Sequence, residues 1–271
     1  EALVNFPDSP AYHYARDRKI SPEILQEYGA GFWSNDVILG LLEKGHHLDD
    51  LEMAGLVKYS ADVPVGFLQD VVDAVKAEDV DSLGREITVN GVRKKIFPYN
   101  PFRENISFPM QFMGQTVSMC FPPMHKKPEH KSLYTGFYTG AFNMGCLKDS
   151  NKGIVLTHGI WNALIIRLAF NRHSVIALCG TNEPAVIKAI AESGKKVAVA
   201  YGNESEKNIF FGKDIIIGEN NWNTGGIAHR LSEMGVELED FTQQALQKHP
   251  RIADFSSFID WWTAEGWHST T

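Results

Sequence analysis

Short apolar runs alternate with helix-length segments between residues 152 and 203. The runs at 153–157, 175–179 and 196–200 are rich in β-branched residues, and each is followed by glycine or a polar residue. This strand–helix–strand–helix–strand order is typical of a buried parallel sheet. Ligands of such sheets bind at the carboxyl ends of the strands. We therefore expect one crevice to be lined by His158, Asn162, Gly180, Tyr201 and Asn203.

Residues 10–57 have the periodicity of several short helices. Ser21 followed by Pro22 predicts an N-cap and a first helical residue, and Gly29 predicts the end of that helix. Residues 63–80 also have a helical period. The sequence therefore predicts a mainly helical amino-terminal part.

Residues 86–97 alternate as in a β-hairpin whose turn is formed by Asn90 and Gly91. The hairpin contains the basic run 93–95, which we interpret as a solvated edge strand rather than a phosphate site. Towards the carboxyl terminus, the sequence predicts a strand at 214–218 and helices at 227–234, 239–248 and 255–267.

The composition is that of a folded protein and limits the partners. Of the 271 residues, 44% are hydrophobic and 22% are charged, so a sizeable core is available. The net charge is −7, whereas broad nucleic-acid binders are usually basic because phosphate neutralisation supplies most of their affinity. A local basic groove remains compatible with this charge. No apolar run is long enough to cross a bilayer, so we expect no membrane partner.

The cysteines, Cys120, Cys146 and Cys179, lack the spacing of a zinc site or of a disulfide framework. We interpret them as small buried residues of a protein in the reducing cytoplasm. The chain begins at Glu1 without Met, so the presence of an adjoining zinc-binding or helicase module stays open.

The spacing within residues 152–203 resembles the TOPRIM domain of bacterial and phage DnaG-type primases. That family has Glu-Gly after the first strand, Asp three residues beyond the Gly, Gly-Thr after the second strand and Asp-x-Asp after the third. This chain keeps the first Gly, the Gly-Thr pair and the apolar runs. The family's acidic residues are replaced by His158, Asn162, Tyr201 and Asn203.

Other segments extend the resemblance over roughly residues 10–57 and 102–223. Residues 18–21 resemble the Arg-Gly-Ile-Ser-like turn between the family's first helices. Residues 102–110 resemble its Phe-x-x-Arg-Ile-x-Phe-Pro-Ile motif. The order of these motifs, with about the family's intervals, favours the same fold.

The resemblance implies basic residues in a cleft between subdomains, where they would contact template or nucleotide. This chain has Asn105 and Met124 near positions where the family has arginines, and it retains Lys131. The candidates for nucleic-acid binding are therefore Arg103 and Lys131.

Gly159, Gly180 and Gly202 follow the three predicted strands. We expect tight strand-to-helix turns at these glycines, because a positive φ or a close backbone approach excludes a side chain. Such turns support the fold and do not distinguish between functions.

We therefore predict an α/β protein with a TOPRIM-type parallel sheet and flanking helices, preceded by a mainly helical N-terminal subdomain and a small mixed sheet. The predicted parts are an N-terminal helical subdomain at 1–101, a mixed-sheet part at 102–150, a TOPRIM-like domain at 151–235 and C-terminal helices at 236–271.

Primer synthesis needs divalent metal ions that bridge the attacking and leaving oxygens, and Mg²⁺ and Mn²⁺ prefer carboxylate ligands. The residues at the matching positions here have no carboxylates. We therefore predict a primase-like protein that has lost polymerase chemistry, needs no cofactor and acts by binding. Its expected partners are nucleic acid at a restricted cleft, a replication protein or a second copy of itself.

Two alternatives stay open. A divergent active primase would hold Mg or Mn with Glu204, Glu206 or Glu219, which lie near the end of the third strand or after the fourth. A hydrolase would use His158 as a general base. No nucleophile stands at a recognisable spacing from this histidine, so the binding hypothesis remains the leading one.

Overall fold

The computed structural model describes residues 2–124, 133–134, 140–149, 153–171, 174–180, 184–201 and 226–241. Its amino-terminal part is mainly helical, which confirms the prediction. The helices there are α1 (Pro10–Asp17), α2 (Pro22–Glu27), α3 (Asn35–Glu43), α4 (Leu48–Met53) and α5 (Val65–Val75). Ser21 caps α2 as predicted, because its hydroxyl accepts a hydrogen bond from the backbone N–H of Ile24 at 3.5 Å. Strand β1 (Gly31–Trp33) follows α2.

A small antiparallel sheet lies within residues 58–99. It consists of β2 (Lys58–Ser60), β3 (Arg85–Val89) and β4 (Val92–Tyr99), in the order β2-β4-β3. The predicted hairpin turn is confirmed, since Asn90 and Gly91 have φ values of 51° and 78°. Positive φ at both positions is the geometry that joins antiparallel strands by a two-residue loop.

The large sheet combines antiparallel and parallel strands. Besides β1 it contains β5 (Asn105–Phe112), β6 (Gln115–Phe121), β7 (Leu133–Tyr134), β8 (Ala141–Phe142), β9 (Ile154–Thr157), β10 (Val175–Ala177), β11 (Val197–Ala200) and β12 (Leu238–Asp240). The order is β12-β11-β9-β10-β8-β5-β6-β7, with β1 paired to β5. Strands β9 to β12 pair in parallel, and the others pair antiparallel. The strands of residues 102–150 therefore extend the parallel part rather than form a small sheet of their own.

Helices α6 (Ile160–Phe170) and α7 (Pro184–Glu192) connect the parallel strands β9, β10 and β11, which confirms the predicted βαβαβ unit. Helix α8 (Ile227–Glu233) confirms the predicted helix at 227–234. The predicted helix at 239–248 is wrong at its start, because Leu238–Asp240 is strand β12. Backbone hydrogen bonding to β11 overrides the helical pattern there. The strand predicted at 214–218 and the helix predicted at 255–267 lie outside the described residues.

An aromatic cluster joins the antiparallel and parallel parts of the fold. Phe108 of β5 is fully buried, and its ring lies 5.7 Å from that of Phe142 and 5.8 Å from that of Trp161, both edge to face. Trp161 belongs to the first turn of α6, so the cluster fixes the start of this helix over the sheet. The three cysteines are buried, as predicted, and they form no disulfide within the described residues.

None of the helices within the described ranges has the length and hydropathy that a membrane crossing needs.

We expect Phe108→Ala to lower the free energy of unfolding by about 3–5 kcal/mol, because it removes a buried ring and leaves a cavity between β5 and α6. Denaturant titration measures the change. Met113→Ala is the control, since Met113 is 82% exposed and its truncation should change stability by less than about 0.5 kcal/mol. A loss below about 1 kcal/mol for Phe108→Ala would contradict the cluster's role.

Candidate functional site

The parallel strands end at one level of the sheet. In the register, Thr157 of β9 pairs with Ala177 of β10 on one side and with Ala200 of β11 on the other. The backbone N–H of Cys179 donates to the carbonyl oxygen of His158 at 2.6 Å, which continues the pairing one residue beyond the strands. His158 is therefore bonded to the chain that follows β10, and the register of β9 and β11 sets Tyr201 as the next residue on its other side.

The carboxyl ends of β9, β10 and β11 form one edge of the sheet, which we call the strand-end edge. His158 is half-buried there. Burial lowers the pKa of its imidazole below the usual value of 6.5, because desolvation disfavours the charged form. The side chain is therefore neutral at pH 7.

Asn162 and Tyr201 complete the described part of the predicted crevice. Asn162 lies on the first turn of α6, and Tyr201 packs against the apolar cluster beneath β11. Both side chains are half-buried. Together with His158 they bring three neutral polar groups, and no carboxylate, to the positions that directly follow β9 and β11 or begin α6.

The glycine predictions have different outcomes. Gly180 has a φ of 87° and follows Cys179 at 53°, so the turn after β10 needs the left-handed region as predicted. Gly159 has a φ of −110°, and a Cβ built there meets no atom within 4 Å. The structural reason given for glycine at 159 is therefore wrong: the residue is an extended N-cap of α6 with open space beside it.

Arg103 does not join the strand-end edge. It precedes β5, is exposed, and pairs with Glu104 at 3.3 Å. Met110 of β5 pairs with Phe142, which in turn pairs with Ala177 at the strand ends. Since β5 begins five residues before Met110, its start is about 17 Å back along the strand from this level.

The remaining predicted site residues lie outside the described part of the chain, and their roles stay predictions. They are Lys131, Gly202, Asn203, Glu204, Glu206 and Glu219. Among the described residues, no three His, Cys, Asp or Glu side chains lie together as a metal-binding group.

Arg18 is a basic residue of this region that the sequence analysis did not single out as a site residue. Its guanidinium carbon lies 5.6 Å from the ring centroid of Trp161, next to Asn162 on α6, and 4.7 Å from that of Tyr14. Arg18 Nη2 donates to Tyr14 Oη at 2.7 Å. Only the fold brings α1 against α6, so local sequence contains no signal for this contact.

The thiol of Cys179 is not activated as a nucleophile. It is buried and donates towards the carbonyl oxygen of Ala177 at 3.7 Å. Burial, together with the neighbouring Cys120, raises the pKa of the Cys179 thiol well above its usual value, so the thiolate does not form at neutral pH.

A cleft of about 490 Å³ has Tyr28, Cys146 and Asp149 among its lining residues, whereas His158, Asn162 and Tyr201 do not line it. Burial raises the pKa of Tyr28 and of Cys146 to about 12. Both groups are protonated at neutral pH, so neither the phenol nor the thiol is an activated nucleophile or a general base.

A solved primase structure shares this architecture. The RNA polymerase domain of Mycobacterium tuberculosis primase DnaG, in complex with a double-stranded DNA oligomer with a 6-nucleotide overhang, matches with a TM-score of 0.52 at 15% identity. The match covers 86% of this chain and 74% of that chain. Another structure of that domain matches with a TM-score of 0.49 at 15% identity. That match covers 74% of this chain and 63% of the other chain. The structure of the Aquifex aeolicus primase, with zinc-binding and RNA polymerase domains, matches with a TM-score of 0.46 at 13% identity. That match covers 97% of this chain and 56% of the other chain.

No protein-family model and no curated protein matches the chain. The likeness to the DNA-bound Mycobacterium tuberculosis domain shows the fold: this chain has the architecture of a primase RNA polymerase domain with a TOPRIM-like parallel part. The chain spans 63% of one of these neighbours and 56% of another, less than two thirds of each.

Serine substitutions distinguish the extended N-cap at Gly159 from the left-handed turn at Gly180. We expect Gly159→Ser to preserve stability or raise it by a few tenths of a kcal/mol, because serine caps a helix slightly better than glycine. Gly180→Ser should lower stability by about 1 kcal/mol or more, since a side chain is strained at positive φ. Thermal or denaturant unfolding of both variants measures the difference, and equal destabilisation would contradict the described turn geometry.

The lowered pKa of His158 predicts a pH-dependent stability. At pH values between the pKa of His158 in the folded chain and 6.5, its pKa in the unfolded chain, the unfolded chain binds more protons than the folded one. The free energy of unfolding is therefore retained above pH 6.5 and falls as the pH drops below it. Replacing this histidine with glutamine should therefore reduce the loss of unfolding free energy between pH 7.5 and pH 5. His46→Gln, at an exposed position, is the control. The idea fails if both variants follow the wild-type pH profile.

Proposed function

We propose that this chain is a primase-like protein that binds nucleic acid and has lost the chemistry of primer synthesis. The observation on which the proposal rests is the neutral strand-end edge, where His158, Asn162 and Tyr201 occupy the positions of the resembled family's acidic residues. The architecture shared with a primase RNA polymerase domain supports a nucleic-acid-related role.

The loss of chemistry follows from ligand charge. Phosphodiester synthesis at these strand ends requires an ion that neutralises developing charge, and Mg²⁺ or Mn²⁺ requires several oxygen ligands, chiefly carboxylates. An amide and a phenol provide neutral oxygens, and neutral imidazole provides nitrogen, which such hard cations bind poorly. A cluster of carboxylates is stable only with its ion, because like charges repel. The neutral side chains of the strand-end edge do not repel one another, so they need no ion to be stable.

The ligand class follows from the fold and from the charge. The similar Mycobacterium tuberculosis domain was solved with a duplex that has a single-stranded overhang. A chain of net charge −7 cannot attract nucleic acid over its whole surface, so binding is restricted to a cleft with few phosphate contacts. We therefore propose a duplex–single-strand junction or a short single strand as the ligand. A replication protein or a second copy is the partner if nucleic acid does not bind.

The His158 hydrolase hypothesis receives no support from the described residues. The thiol of Cys179, whose backbone N–H donates to the carbonyl oxygen of His158, is buried and protonated. Replacing His158 with alanine should therefore leave no turnover to lose.

Primer synthesis tests the loss of chemistry. With a single-stranded template, nucleotides and either Mg²⁺ or Mn²⁺, we expect no template-dependent oligoribonucleotide above background. Fluorescence anisotropy with a labelled overhang duplex should show saturable binding that weakens as salt increases. The logarithm of the affinity should fall by about 0.7 per phosphate contact on a single strand for each unit of log salt concentration.

Template-dependent products with either metal would overturn the proposed loss. The variants Glu204→Gln, Glu206→Gln and Glu219→Gln would then identify the carboxylates that hold the ion, as the divergent-primase alternative requires. If neither synthesis nor nucleic-acid binding is detected, the nucleic-acid part of the proposal is wrong.

A further inference from the structure

Strands β3 and β4 form a two-stranded ribbon in the small sheet. Within the described residues, β2 pairs with β4 only at 97–99, whereas β3 pairs with β4 at 92–96. All residues from 86 to 94 are exposed. A hairpin of two strands is marginally stable in water, and a third strand or a packed face usually completes it. The ribbon lies outside the segments 10–57 and 102–223 that resemble primases.

The outer edge of β3 has backbone groups that no described strand pairs. The two-residue turn at 90–91 makes its flanking residues, Val89 and Val92, a hydrogen-bonded pair. Bonded and non-bonded pairs alternate along a hairpin, so every second residue of β3 turns its N–H and C=O groups away from β4. These residues are Glu86 and Thr88, and their outward groups can bond to an added strand.

One face of the ribbon is apolar. Ile87 and Val89 are two residues apart and share this face, and Val92 is the cross-strand partner of Val89. Their exposed fractions are 37%, 44% and 57%. Proteins usually protect an exposed strand edge with charged residues or proline, and residues 87–89 include neither. The basic run lies on β4, the middle strand, so it is not on the edge strand β3.

Two cations of the ribbon have no carboxylate partner in the described part of the chain. Arg93, opposite Thr88, and Lys94 are exposed, and no carboxylate oxygen there lies within 4.0 Å of either. In contrast, Lys95 pairs with Asp81 at 3.0 Å. Charge complementarity therefore favours an acidic partner, and it disfavours a second ribbon with the same positive charge.

We propose that the free edge of β3 binds an extended segment of a partner protein in which apolar residues alternate with carboxylates. Added as a further strand, the segment bonds to Glu86 and Thr88 and packs its apolar side chains beside Ile87 and Val89. A carboxylate opposite Thr88 shares a face with Arg93 and is about 10 Å from it, two strand spacings, which the two side chains can span. This binding goes beyond the proposed nucleic-acid binding and does not depend on it.

Peptide binding to edge variants tests this inference. The probe is a short fluorescent peptide in which valine alternates with glutamate, and anisotropy measures its affinity at low salt. Thr88→Pro removes an outward N–H and leaves the bonds between β3 and β4 in place, because proline is tolerated where the N–H faces away from the sheet. It should weaken binding roughly tenfold or more. Thr88→Glu keeps the backbone and should also weaken binding, since it places a like charge beside the peptide.

Arg93→Gln tests the charge. It should weaken binding about two- to fivefold and reduce its salt dependence. Arg16→Gln is the matched control, because Arg16 is exposed on α1, with its Nε 3.8 Å from an Asp17 carboxylate oxygen, and its replacement removes the same charge outside the ribbon. The control should leave the affinity unchanged. A peptide with lysine in place of glutamate should bind much more weakly than the acidic probe.

Several results would overturn the proposal. They are the absence of saturable binding up to millimolar probe, equal binding of the lysine peptide, and wild-type affinity in Thr88→Pro at an unchanged melting temperature. If Thr88→Pro lowers the melting temperature, Thr88→Glu decides instead. Self-association of the wild-type chain that Thr88→Glu abolishes would assign the edge to a second copy and would also overturn the acidic partner.

Binding of the overhang duplex is measured on the same variants. Thr88→Glu should leave it unchanged, and a loss there would assign the edge to nucleic acid instead of a protein segment. A wild-type chain that binds the acidic peptide but no duplex would contradict the proposed function and support this inference. The opposite pattern would contradict this inference and leave the proposed function in place.

Discussion

Parallel hydrogen bonding of β9 to both β10 and β11 is the constraint on which the candidate site depends. The register sets Thr157 level with Ala177 and Ala200, so the residues that follow all three strands reach one edge. The bond from Cys179 N–H to the His158 carbonyl extends this pairing into the turn. Because the backbone fixes these positions, the side chains at them decide what the edge can bind.

The side chains that the structure describes at this edge, His158, Asn162 and Tyr201, are polar but uncharged. The neutral imidazole of His158 results from burial, and Asn162 and Tyr201 have no formal charge at pH 7. An edge of this kind is compatible with a bound strand whose phosphates would be repelled by uncompensated carboxylates. The guanidinium of Arg18, held by Tyr14 and Trp161, places a positive charge next to it. Uncharged side chains beside a cation are consistent with the proposed function of binding without reacting.

The parallel part of the fold could be predicted from sequence because the apolar runs there have the length of strands, and glycine or a polar residue follows each run. The runs at 153–157, 175–179 and 196–200 became β9, β10 and β11 nearly residue for residue, and the hairpin turn at Asn90 and Gly91 followed from local turn chemistry. Strand β12 was missed because its pairing with β11 is a long-range contact that overrides a local helical pattern.

The candidate site was less predictable than the fold. His158 and Tyr201 directly follow β9 and β11, and Asn162 is in the first turn of α6, so the topology brings these three positions to one end of the parallel strands. Gly159 was misinterpreted because an N-cap glycine with extended backbone has the same sequence signature as a strained turn. The contact of Arg18 with Trp161 depends on how α1 packs against α6, and neither periodicity nor spacing encodes that contact.

Manganese binding tests the central claim most directly. Electron paramagnetic resonance of Mn²⁺ reports the free ion, and titration of the protein into it measures how much is bound. The account predicts that the free-ion signal stays at its buffer value, apart from weak, salt-sensitive association with the acidic surface. A saturable site of one or two ions per chain, weakened by removal of a carboxylate near the strand ends, would contradict it.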